Sequence, residues 1–239
     1  MLKRVSWELL DLIAEGEPST EDLVVPRFVP RDLEAPHRLP RTILPAEIAR
    51  IASFDVLARL AIAAEAHDPY TGKHLENIRR FTTSLARALG CSDAFVQEIE
   101  LASLMHDVGK IGVPKILLTR NAALDTDERR IMQQHPVIGE RLLSSPGLEM
   151  AREVCRSHHE RWDGSGYPDG LRRDDIPLSA RIVAVVDVFD ALTSVRPYKA
   201  AWPLAEAFAF IHGQAGSHFD PDIVDAFLGD VPRPDQIVA

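Results

Sequence analysis

Apolar residues recur every three or four positions along most of the chain from Ala46 onward, which is the spacing typical of amphipathic helices. The sequence has no convincing alternating apolar and polar segment beside a hairpin turn, the pattern that would indicate strands. We predict helices at about 46–66 and 72–89, a third helix that Ser92 caps and whose buried stripe of Phe95, Ile99 and Ala102 continues to His106, and further helices at about 126–144, 148–159, 179–194, 203–213 and 221–228. The pattern therefore predicts an all-α fold, a helical bundle that occupies residues 46–239.

Proline interrupts the helical pattern near the start of the chain. Six prolines fall between Pro18 and Pro45, so this stretch can be neither a continuous helix nor a central strand. Residues 5–14 have the pattern of a short amphipathic helix. We interpret residues 1–45 as a short proline-rich arm, which is either a linker or docking arm or an extended strap on the main domain.

Glycine and proline also interrupt the pattern between Glu160 and Pro177, where the chain reads RWDGSGYPDGLRRDDI. We predict a long, shaped loop for this segment. Its glycines allow the backbone to approach a ligand closely, and Tyr167 could close a pocket or contact a base. The alternative is a rigid surface turn.

Composition and charge narrow the classes of function. Twenty-seven basic and thirty-six acidic residues give a net charge of -9, which argues against binding of nucleic-acid polymers. The longest stretch without charged residues, Ala207 to Phe219, is too short to cross a membrane, and Glu8 and Asp11 interrupt the apolar run that a secretion signal needs. Two cysteines are too few for a disulfide framework. We expect a cytoplasmic protein with no membrane partner.

Histidine occurs beside acidic or other histidine residues at helix positions. His106 and Asp107 are adjacent at the end of an apolar helix, and adjacent helical side chains point about 100° apart, so the pair could serve two ions or one ion from two sides. His135 lies within a helical pattern, and His158 and His159 are adjacent in the last turn of another helix. Taken alone, His106 fits a hydrogen-bonded core histidine with Asp107 as a capping group, and each of the other three histidines fits a surface residue.

Asp187 is the most informative acidic residue. It lies in the run ARIVAVVDVFDALTS, where helical spacing puts its carboxylate on or beside an apolar face. An ionised carboxylate there costs several kcal/mol unless a cation or hydrogen-bond donors compensate. A metal ion is the simplest compensation, with Asp190 one turn later as an acceptor that supports the site. The alternative is an ion pair with Arg181 or another arginine.

These residues form a mixed nitrogen and oxygen ligand set drawn from four predicted helices. The candidate metal ligands are His106, Asp107, His135, His158, His159 and Asp187. Six protein ligands exceed what one open catalytic site needs, which predicts two divalent ions of iron, manganese, cobalt, nickel or zinc. Asp107 is the natural bridge because a carboxylate has two oxygens. Glu160 is expected either to hydrogen-bond to a ligating imidazole or to be an exposed glutamate.

Three segments together resemble a known family. HDVGKIGVP resembles the signature of the HD superfamily of metal-dependent phosphohydrolases, and HHERWDGSGYPDG and RIVAVVDVFDALTSVRPYK resemble its HD-GYP branch. The resemblance covers about 62–228 and implies hydrolysis of cyclic di-GMP to linear pGpG, with GMP as a further product, by a pair of iron or manganese ions that activate water. It places the family's metal ligands on the six residues above. It places phosphate-binding side chains on Lys110, Arg196 and Lys199, and it makes Asp107 and Lys110 the catalytic residues.

Tyr70 departs from the family pattern. The family has a histidine that matches His74, and in some members a glutamate four residues earlier completes a third metal site with it, but Tyr70 occupies that position here. A phenol is a poor ligand for most divalent ions beside a carboxylate, so we expect no third ion near His74. We expect His74 to contact a substrate phosphate instead.

Cyclic di-GMP is the expected substrate, and two protein partners are also considered. The loop that contains Tyr167 has been linked in the family with binding of other signalling proteins. The helix predicted at 46–66 could pair two copies as a homodimer, although a core helix would have the same pattern. Two other functions are compatible with the sequence: an HD hydrolase of another cyclic dinucleotide or nucleotide, and a catalytically silent cyclic di-GMP receptor. The full ligand set argues against a receptor, which need not retain six metal ligands.

Overall fold

Helices form the regular structure of the described part of the chain. The computed structural model describes residues 71–120, 122–194 and 200–229 and, before these, only Val56, Arg59 and Ala61. The α-helices in these ranges are α1 Thr71–Ala88, α2 Asp93–Ala102, α3 Lys115–Leu118, α4 Thr126–Met132, α5 His135–Leu142, α6 Glu149–Ser157, α7 Leu178–Thr193, α8 Leu204–Gly213 and α9 Pro221–Leu228. The 3₁₀ helices are Ser103–Met105, Val108–Gly112 and Arg173–Asp175. The predicted all-α fold is confirmed, since the described ranges contain no strand.

Several sequence predictions fall outside the described residues. These are the arm at 1–45, most of the helix at 46–66, and the side chains of Tyr70, Arg196 and Lys199. Ala61, which is described, is helical and belongs to the buried core. None of the helices in the described ranges is long and apolar enough to span a bilayer.

Helix α7 lies at the centre of the fold. Its wholly buried apolar residues are Ala180, Ile182, Val183, Val185, Val186 and Leu192. A helix that is apolar on nearly every side must be covered by its neighbours, and α1, α6, α8 and α9 pack against it. Phe189 forms edge-to-face pairs with Phe81 of α1 and Phe227 of α9, with ring centroids 5.7 and 5.0 Å apart. The core therefore holds α7 rigidly against α1.

Local sequence signals set several helix ends. Ser92 caps α2 by accepting a hydrogen bond from the backbone N–H of Phe95 at 3.3 Å, as predicted. Gly90 follows α1 with φ of 73°, a conformation that other residues adopt at a cost. Asp125 and Glu128 form a reciprocal capping box at the start of α4. These caps fix where the chain enters and leaves the bundle.

The prediction of one continuous helix over 126–144 is wrong. Helix α4 ends at Met132 and α5 begins at His135. Pro136 has no N–H to donate to the carbonyl of Met132, and in a continuous helix its ring would clash with that carbonyl. The apolar pattern conceals this break, because Met132 and Leu143 on either side of it are both buried.

Candidate metal centre

Three buried histidines share one local geometry. His106, His135 and His158 each follow the last turn of a helix, and the Nδ1 atom of each is hydrogen-bonded to the backbone carbonyl three residues earlier. The acceptors are Ser103 at 2.8 Å, Met132 at 2.8 Å and Cys155 at 3.0 Å. A carbonyl oxygen can only accept, so Nδ1 carries the proton. In the neutral ring Nε2 then has a lone pair and no hydrogen.

Helix ends supply the carbonyls that this geometry requires. The last carbonyls of a helix have no N–H partner within that helix. For His135 the proline at the next position has the same effect, because Pro136 cannot donate to the carbonyl of Met132. The break between α4 and α5 therefore fixes the orientation of His135.

The three Nε2 atoms converge on the carboxylate of Asp107. The Nε2 atoms of His135 and His158 lie 3.2 and 3.7 Å from its Oδ1, and that of His106 lies 3.4 Å from its Oδ2. When the rings are neutral, these nitrogens and an ionised carboxylate have no hydrogen to share, so their lone pairs repel unless a cation lies between them. Within the described ranges, Nε2 of His158 is buried and has no hydrogen-bond partner. The arrangement fits a metal site.

Burial and neighbouring charges favour the protonation states that metal binding requires. Burial lowers the pKa of His158, and burial together with the neighbouring His158 lowers the pKa of His159 well below its usual range. Burial alone would raise the pKa of Asp107, but Lys110 and His106 hold it well below the usual value. At neutral pH the rings of His158 and His159 are therefore neutral while Asp107 is ionised, as metal ligands must be.

The ligand atoms form two groups. The first group consists of Asp107, His135, His158 and His159, and one ligand atom from each lies within 4.8 Å of all the others. Within it, Nε2 of His159 lies 3.1 Å from Nε2 of His135. Nitrogen and oxygen atoms at this spacing could hold one ion of the transition metals that imidazole and carboxylate prefer.

The second group consists of His74, His106 and Asp187 and meets the same distance limit of 4.8 Å. The Nε2 atoms of His74 and His106 lie 3.8 and 3.9 Å from Oδ1 of Asp187. The two rings meet edge to face with centroids 5.5 Å apart. His74, for which the sequence suggested a phosphate contact, thus lies beside two residues predicted as metal ligands.

Asp190 lies next to the second group. Its carboxylate is 1% exposed and accepts hydrogen bonds from Nδ1 of His74 and Nδ2 of Asn77, each at 2.6 Å. Burial alone would raise the pKa of Asp190, but these hydrogen bonds keep it below the usual value. Asp190 is therefore an ionised acceptor beside a candidate ligand, which is the role expected from its position one turn after Asp187.

The alternative that paired Asp187 with Arg181 is wrong. The Arg181 guanidinium contacts Asp220 at 2.6 Å and Asp174 at 2.9 Å. Asp187 and Arg181 are six residues apart on the helix, so their side chains point in clearly different directions. The carboxylate of Asp187 instead faces the two histidines of the second group.

Lys110 places a positive charge at the first group. Its Nζ atom is hydrogen-bonded to Oδ2 of Asp107, one 3₁₀ turn earlier. The side chain of Lys110 is 24% exposed, so the residue lies at the edge of the buried ligand group. Arg196 and Lys199, the other predicted phosphate-binding residues, lie outside the described residues.

Two glycines allow close packing at this site, a role that was not predicted for them. A Cβ atom on Gly109 would overlap the carbonyl oxygen of His135, and one on Gly139 would overlap Sγ of Cys155. The absence of side chains allows α5 to pack closely on the turn that contains Asp107. A glycine inside a helical pattern, as at Gly139, was the available signal for this close approach.

The GYP loop, residues 160–177, lies against the first group. It is irregular apart from the 3₁₀ helix at Arg173–Asp175, as predicted. The ring of Tyr167 stacks on that of His159, with centroids 4.8 Å apart and an angle of 21° between the planes. The loop therefore contacts a candidate metal ligand directly.

Both predictions for Glu160 are wrong. Glu160 is 2% exposed, and its two carboxylate oxygens accept hydrogen bonds from the backbone N–H groups of Asp169 at 2.7 Å and Leu171 at 3.0 Å. The side chain of Asp169 in turn pairs through both oxygens with Arg156 of α6, at 2.7 Å each. Glu160 thus anchors the backbone of the GYP loop, because unpaired N–H groups at the turn need buried acceptors.

Known proteins place this arrangement in a family. The family model of the HD domain matches residues 59–223. The chain belongs to the HD domain family. Its predicted resemblance to the HD-GYP branch is also confirmed, by this match together with relatives at 45% and 46% identity.

Several relatives of this HD domain are named as phosphodiesterases of cyclic dinucleotides. It is 46% identical over 178 residues to the cyclic di-GMP phosphodiesterase of Thermotoga maritima, and the alignment covers 73% of this chain and 48% of that protein. It is 45% identical over 186 residues to the cyclic di-GMP phosphodiesterase response regulator RpfG of Xanthomonas campestris, covering 77% and 49%. It is 38% identical over 182 residues to 3'3'-cGAMP-specific phosphodiesterase 2 of Vibrio cholerae, covering 75% and 35%. The chain spans half or less of the length of these relatives.

Two solved structures share the fold of this HD domain. A cyclic GMP-AMP-specific phosphodiesterase of Vibrio cholerae aligns with a TM-score of 0.57 at 18% identity, covering 77% of this chain and 50% of that one. An HDG"Y"P protein from Bdellovibrio bacteriovorus aligns with a TM-score of 0.51 at 21% identity, covering 65% and 50%. At these identities the likeness shows the fold alone.

Proposed function

We propose that this HD domain is a metal-dependent phosphodiesterase that hydrolyses cyclic di-GMP to linear pGpG. The observation that carries the proposal is the convergence of three Nε2 lone pairs on the buried carboxylate of Asp107. A cation between these groups would relieve the repulsion of their lone pairs, and paired divalent cations are a recurrent means of cleaving phosphodiesters. The names of two relatives at 45% and 46% identity support cyclic di-GMP as the substrate.

Each ligand group is proposed to hold one divalent ion, iron or manganese. Oδ1 of Asp107 belongs with His135 and His158, while its Oδ2 lies nearest to His106 of the second group, which supports a bridging role for this carboxylate. We assign His74 to the second ion rather than to a phosphate. Ions bound there would supply Lewis acidity and would lower the pKa of water, so that hydroxide is available as the nucleophile near neutral pH. No third ion is proposed.

Lys110 and Asp107 are the proposed catalytic residues. Asp107 contacts ligand atoms of both groups, and the ammonium of Lys110, on a partly exposed side chain, is proposed to donate to a non-bridging phosphate oxygen beside them. Arg196 and Lys199 are proposed, on the resemblance, to bind the second phosphate of the cyclic dinucleotide. Tyr167, stacked on His159, is proposed to contact the substrate from the GYP loop.

A second candidate substrate is 3'3'-cGAMP, because a relative named for that specificity is 38% identical over a similar stretch. The two cyclic dinucleotides share the two phosphodiester groups that the metal groups and cations would recognise, and they differ in one base. A catalytically silent receptor is the third candidate, and the retention of every predicted metal ligand argues against it.

A substrate panel tests the proposal. The full chain is loaded anaerobically with Fe²⁺ or Mn²⁺ and incubated separately with cyclic di-GMP, 3'3'-cGAMP and cyclic di-AMP, and the products are separated by chromatography. We expect loss of cyclic di-GMP with appearance of pGpG, and the time course shows whether GMP follows. Cleavage of another cyclic dinucleotide with cyclic di-GMP intact would contradict the assigned substrate. Binding of cyclic di-GMP without turnover under both ions would identify a receptor.

Three further assignments rest on the sequence and the resemblance. We infer a reducing, cytoplasmic compartment from the two cysteines, Cys91 and Cys155, both of which are unpaired thiols. We propose that the exposed side of the GYP loop, which includes Asp169, binds another signalling protein. A homodimer through residues 46–66 is also proposed, and light scattering of the full chain tests it.

A further inference from the structure

We infer that Asp190 is a positioning residue that fixes the tautomer and orientation of His74, so that Nε2 of His74 faces the second ligand group. The inference rests on the proposed function, because it assumes that this group holds a metal ion. It assigns a role to a residue outside the predicted ligand set and explains why His74 lies beside Asp187.

Two pairs of side chains, each one helical turn apart, face each other across α1 and α7. On α1 they are His74 and Asn77, and on α7 they are Asp187 and Asp190. Asp190 is 1% exposed and accepts from Nδ1 of His74 at 2.6 Å, while Nε2 of His74 lies 3.8 Å from Oδ1 of Asp187. One ring therefore connects the buried carboxylate to the ligand group.

The hydrogen bonds around Asp190 leave one arrangement of donors and acceptors. Its Oδ1 accepts from Nδ2 of Asn77 at 2.6 Å and from the hydroxyl of Ser194 at 3.1 Å. Its Oδ2 is the atom that faces His74. A carboxylate oxygen accepts, so Nδ1 of His74 carries the proton and Nε2 has the lone pair that a metal ion requires.

His74 needs this carboxylate because its position differs from that of the other clustered histidines. His106, His135 and His158 follow helix ends, where backbone carbonyls accept from Nδ1. His74 lies inside α1, where the carbonyls of the turn bond to helical N–H groups. A side-chain acceptor from α7 takes the place of the backbone carbonyl.

The test exchanges donor and acceptor between two helices. In Asp190→Asn, one oxygen becomes an NH₂ group, so either His74 or Asn77 faces a donor instead of an acceptor. In Asn77→Asp/Asp190→Asn, the new carboxylate at position 77 accepts from the amide of position 190, whose oxygen again accepts from His74. Ser194→Ala is the matched control, since it removes a hydrogen bond to Oδ1 of Asp190 without changing the atom that faces His74.

Two measurements read the result without relying on turnover. Calorimetric titration of the metal-stripped full chain with Co²⁺ gives the affinity of each ligand group. Two-bond ¹⁵N–¹H correlation spectra of the same protein give the tautomer of His74, whose signal is assigned with His74→Gln. We expect the Nδ1–H tautomer in the natural sequence, binding of one Co²⁺ weakened about tenfold to a hundredfold by Asp190→Asn, and recovery of most of that affinity in the exchanged pair. Ser194→Ala should stay within a few-fold of the natural sequence.

The inference is overturned by the Nε2–H tautomer in the natural sequence, which requires no variant to fold. It is also overturned if Asp190→Asn binds Co²⁺ as tightly as the natural sequence, or if the exchanged pair folds with the native circular dichroism spectrum and still binds Co²⁺ weakly. Failure of the proposed function gives a different result: no cyclic dinucleotide is cleaved, whereas the tautomer and the effect of the exchange on Co²⁺ binding persist.

Discussion

Four histidines of the candidate metal centre donate a hydrogen bond from Nδ1. The groups that accept these bonds differ in how easily a substitution can remove them. The acceptors for His106, His135 and His158 are backbone carbonyls, which every residue provides. The acceptor for His74 is the side chain of Asp190. Single substitutions can therefore remove the support of His74, whereas the other three rings lose theirs only when a helix end moves.

Asp107→Ala should abolish binding of both ions and turnover while the helical content stays near that of the natural sequence. The carboxylate contacts ligand atoms of both groups, so its loss removes a ligand from each. Elemental analysis after loading with Mn²⁺ checks the metal, and circular dichroism checks the helices. Asp175→Ala, at an exposed acidic residue of the GYP loop, is the control and should retain metal. Full metal content in Asp107→Ala would rule out the bridging role.

Lys110→Ala should keep the metal but weaken substrate binding by about 2 kcal/mol, roughly a thirtyfold rise in Kd, as expected for a lost charged hydrogen bond. The lysine contacts Asp107 and remains partly exposed, so it can reach a phosphate without serving as a ligand. The Kd for cyclic di-GMP is measured in Ca²⁺-loaded protein to suppress turnover. Lys115→Ala, an exposed lysine one short helix later, is the control. Equal Kd values for the two variants would remove Lys110 from the phosphate site.

At the scale of elements, the spacing between α5 and the turn after α2 determines how close His135 comes to Asp107. Gly109 and Gly139 face each other across this contact, and Cys155 of α6 fills the remaining space behind Gly139. A methyl group at either glycine would push α5 outward. The distance between the candidate ligands His135 and Asp107 thus depends on two glycines that have no functional side chain.

Gly139→Ala should lower the free energy of unfolding by about 1–3 kcal/mol, because its Cβ would overlap Sγ of Cys155 in a packed interior. Urea unfolding of the metal-stripped chain measures this change. Adding Cys155→Ala makes room for the methyl group and should restore part of the loss. Gly213→Ala, at the end of α8 with nothing near its Cβ position, is the matched control and should change stability by less than about 1 kcal/mol. Equal stability of the two single variants would contradict the packing argument.

The sequence predicted what depends on residue type and local spacing. The buried runs, the cap at Ser92 and the irregular GYP loop are local features, and the six candidate ligands are chemically distinctive. The break at Pro136 was readable from its missing N–H but was concealed by apolar residues on both sides. The contact of His74 with Asp190 joins residues 116 positions apart, and the acceptor role of Glu160 depends on how the irregular loop folds back on itself, so no helical or strand pattern could indicate either.

At the scale of the whole molecule, the two ligand groups connect most of the bundle. Their residues come from α1, the turn after α2, the start of α5, the end of α6 and the centre of α7. The unfolded chain does not hold these side chains together. Bound ions therefore stabilise the folded state in proportion to the logarithm of their concentration, by about 2.7 kcal/mol for one site at a hundred times its Kd.

Acid should destabilise the metal-stripped chain from about pH 6.5 downward, well before its carboxylates titrate. Burial lowers the pKa of His158 and His159, and lowers that of His218 to about 3, whereas these imidazoles titrate near 6.5 in the unfolded chain. Below pH 6.5 the unfolded chain therefore binds more protons than the folded one, so the free energy of unfolding falls as the pH falls. The limit is about 1.4 kcal/mol per pH unit for each imidazole that stays neutral in the folded state. Asp107 and Asp190, whose pKa values are also lowered, add to the loss only below about pH 4.

Urea unfolding between pH 7.5 and 4.5 measures this slope. His218→Gln is the informative variant, because His218 belongs to neither ligand group and its loss should reduce the slope without affecting bound metal. Saturating Mn²⁺ should raise the free energy of unfolding at each pH and leave the slope nearly unchanged, because His158 and His159 are already neutral in the metal-stripped folded state and the ion displaces no protons from them. A free energy of unfolding that stays constant over this range in the metal-stripped chain would mean that the clustered imidazoles accept protons in the folded state, and the lone-pair argument for a metal centre would lose its basis.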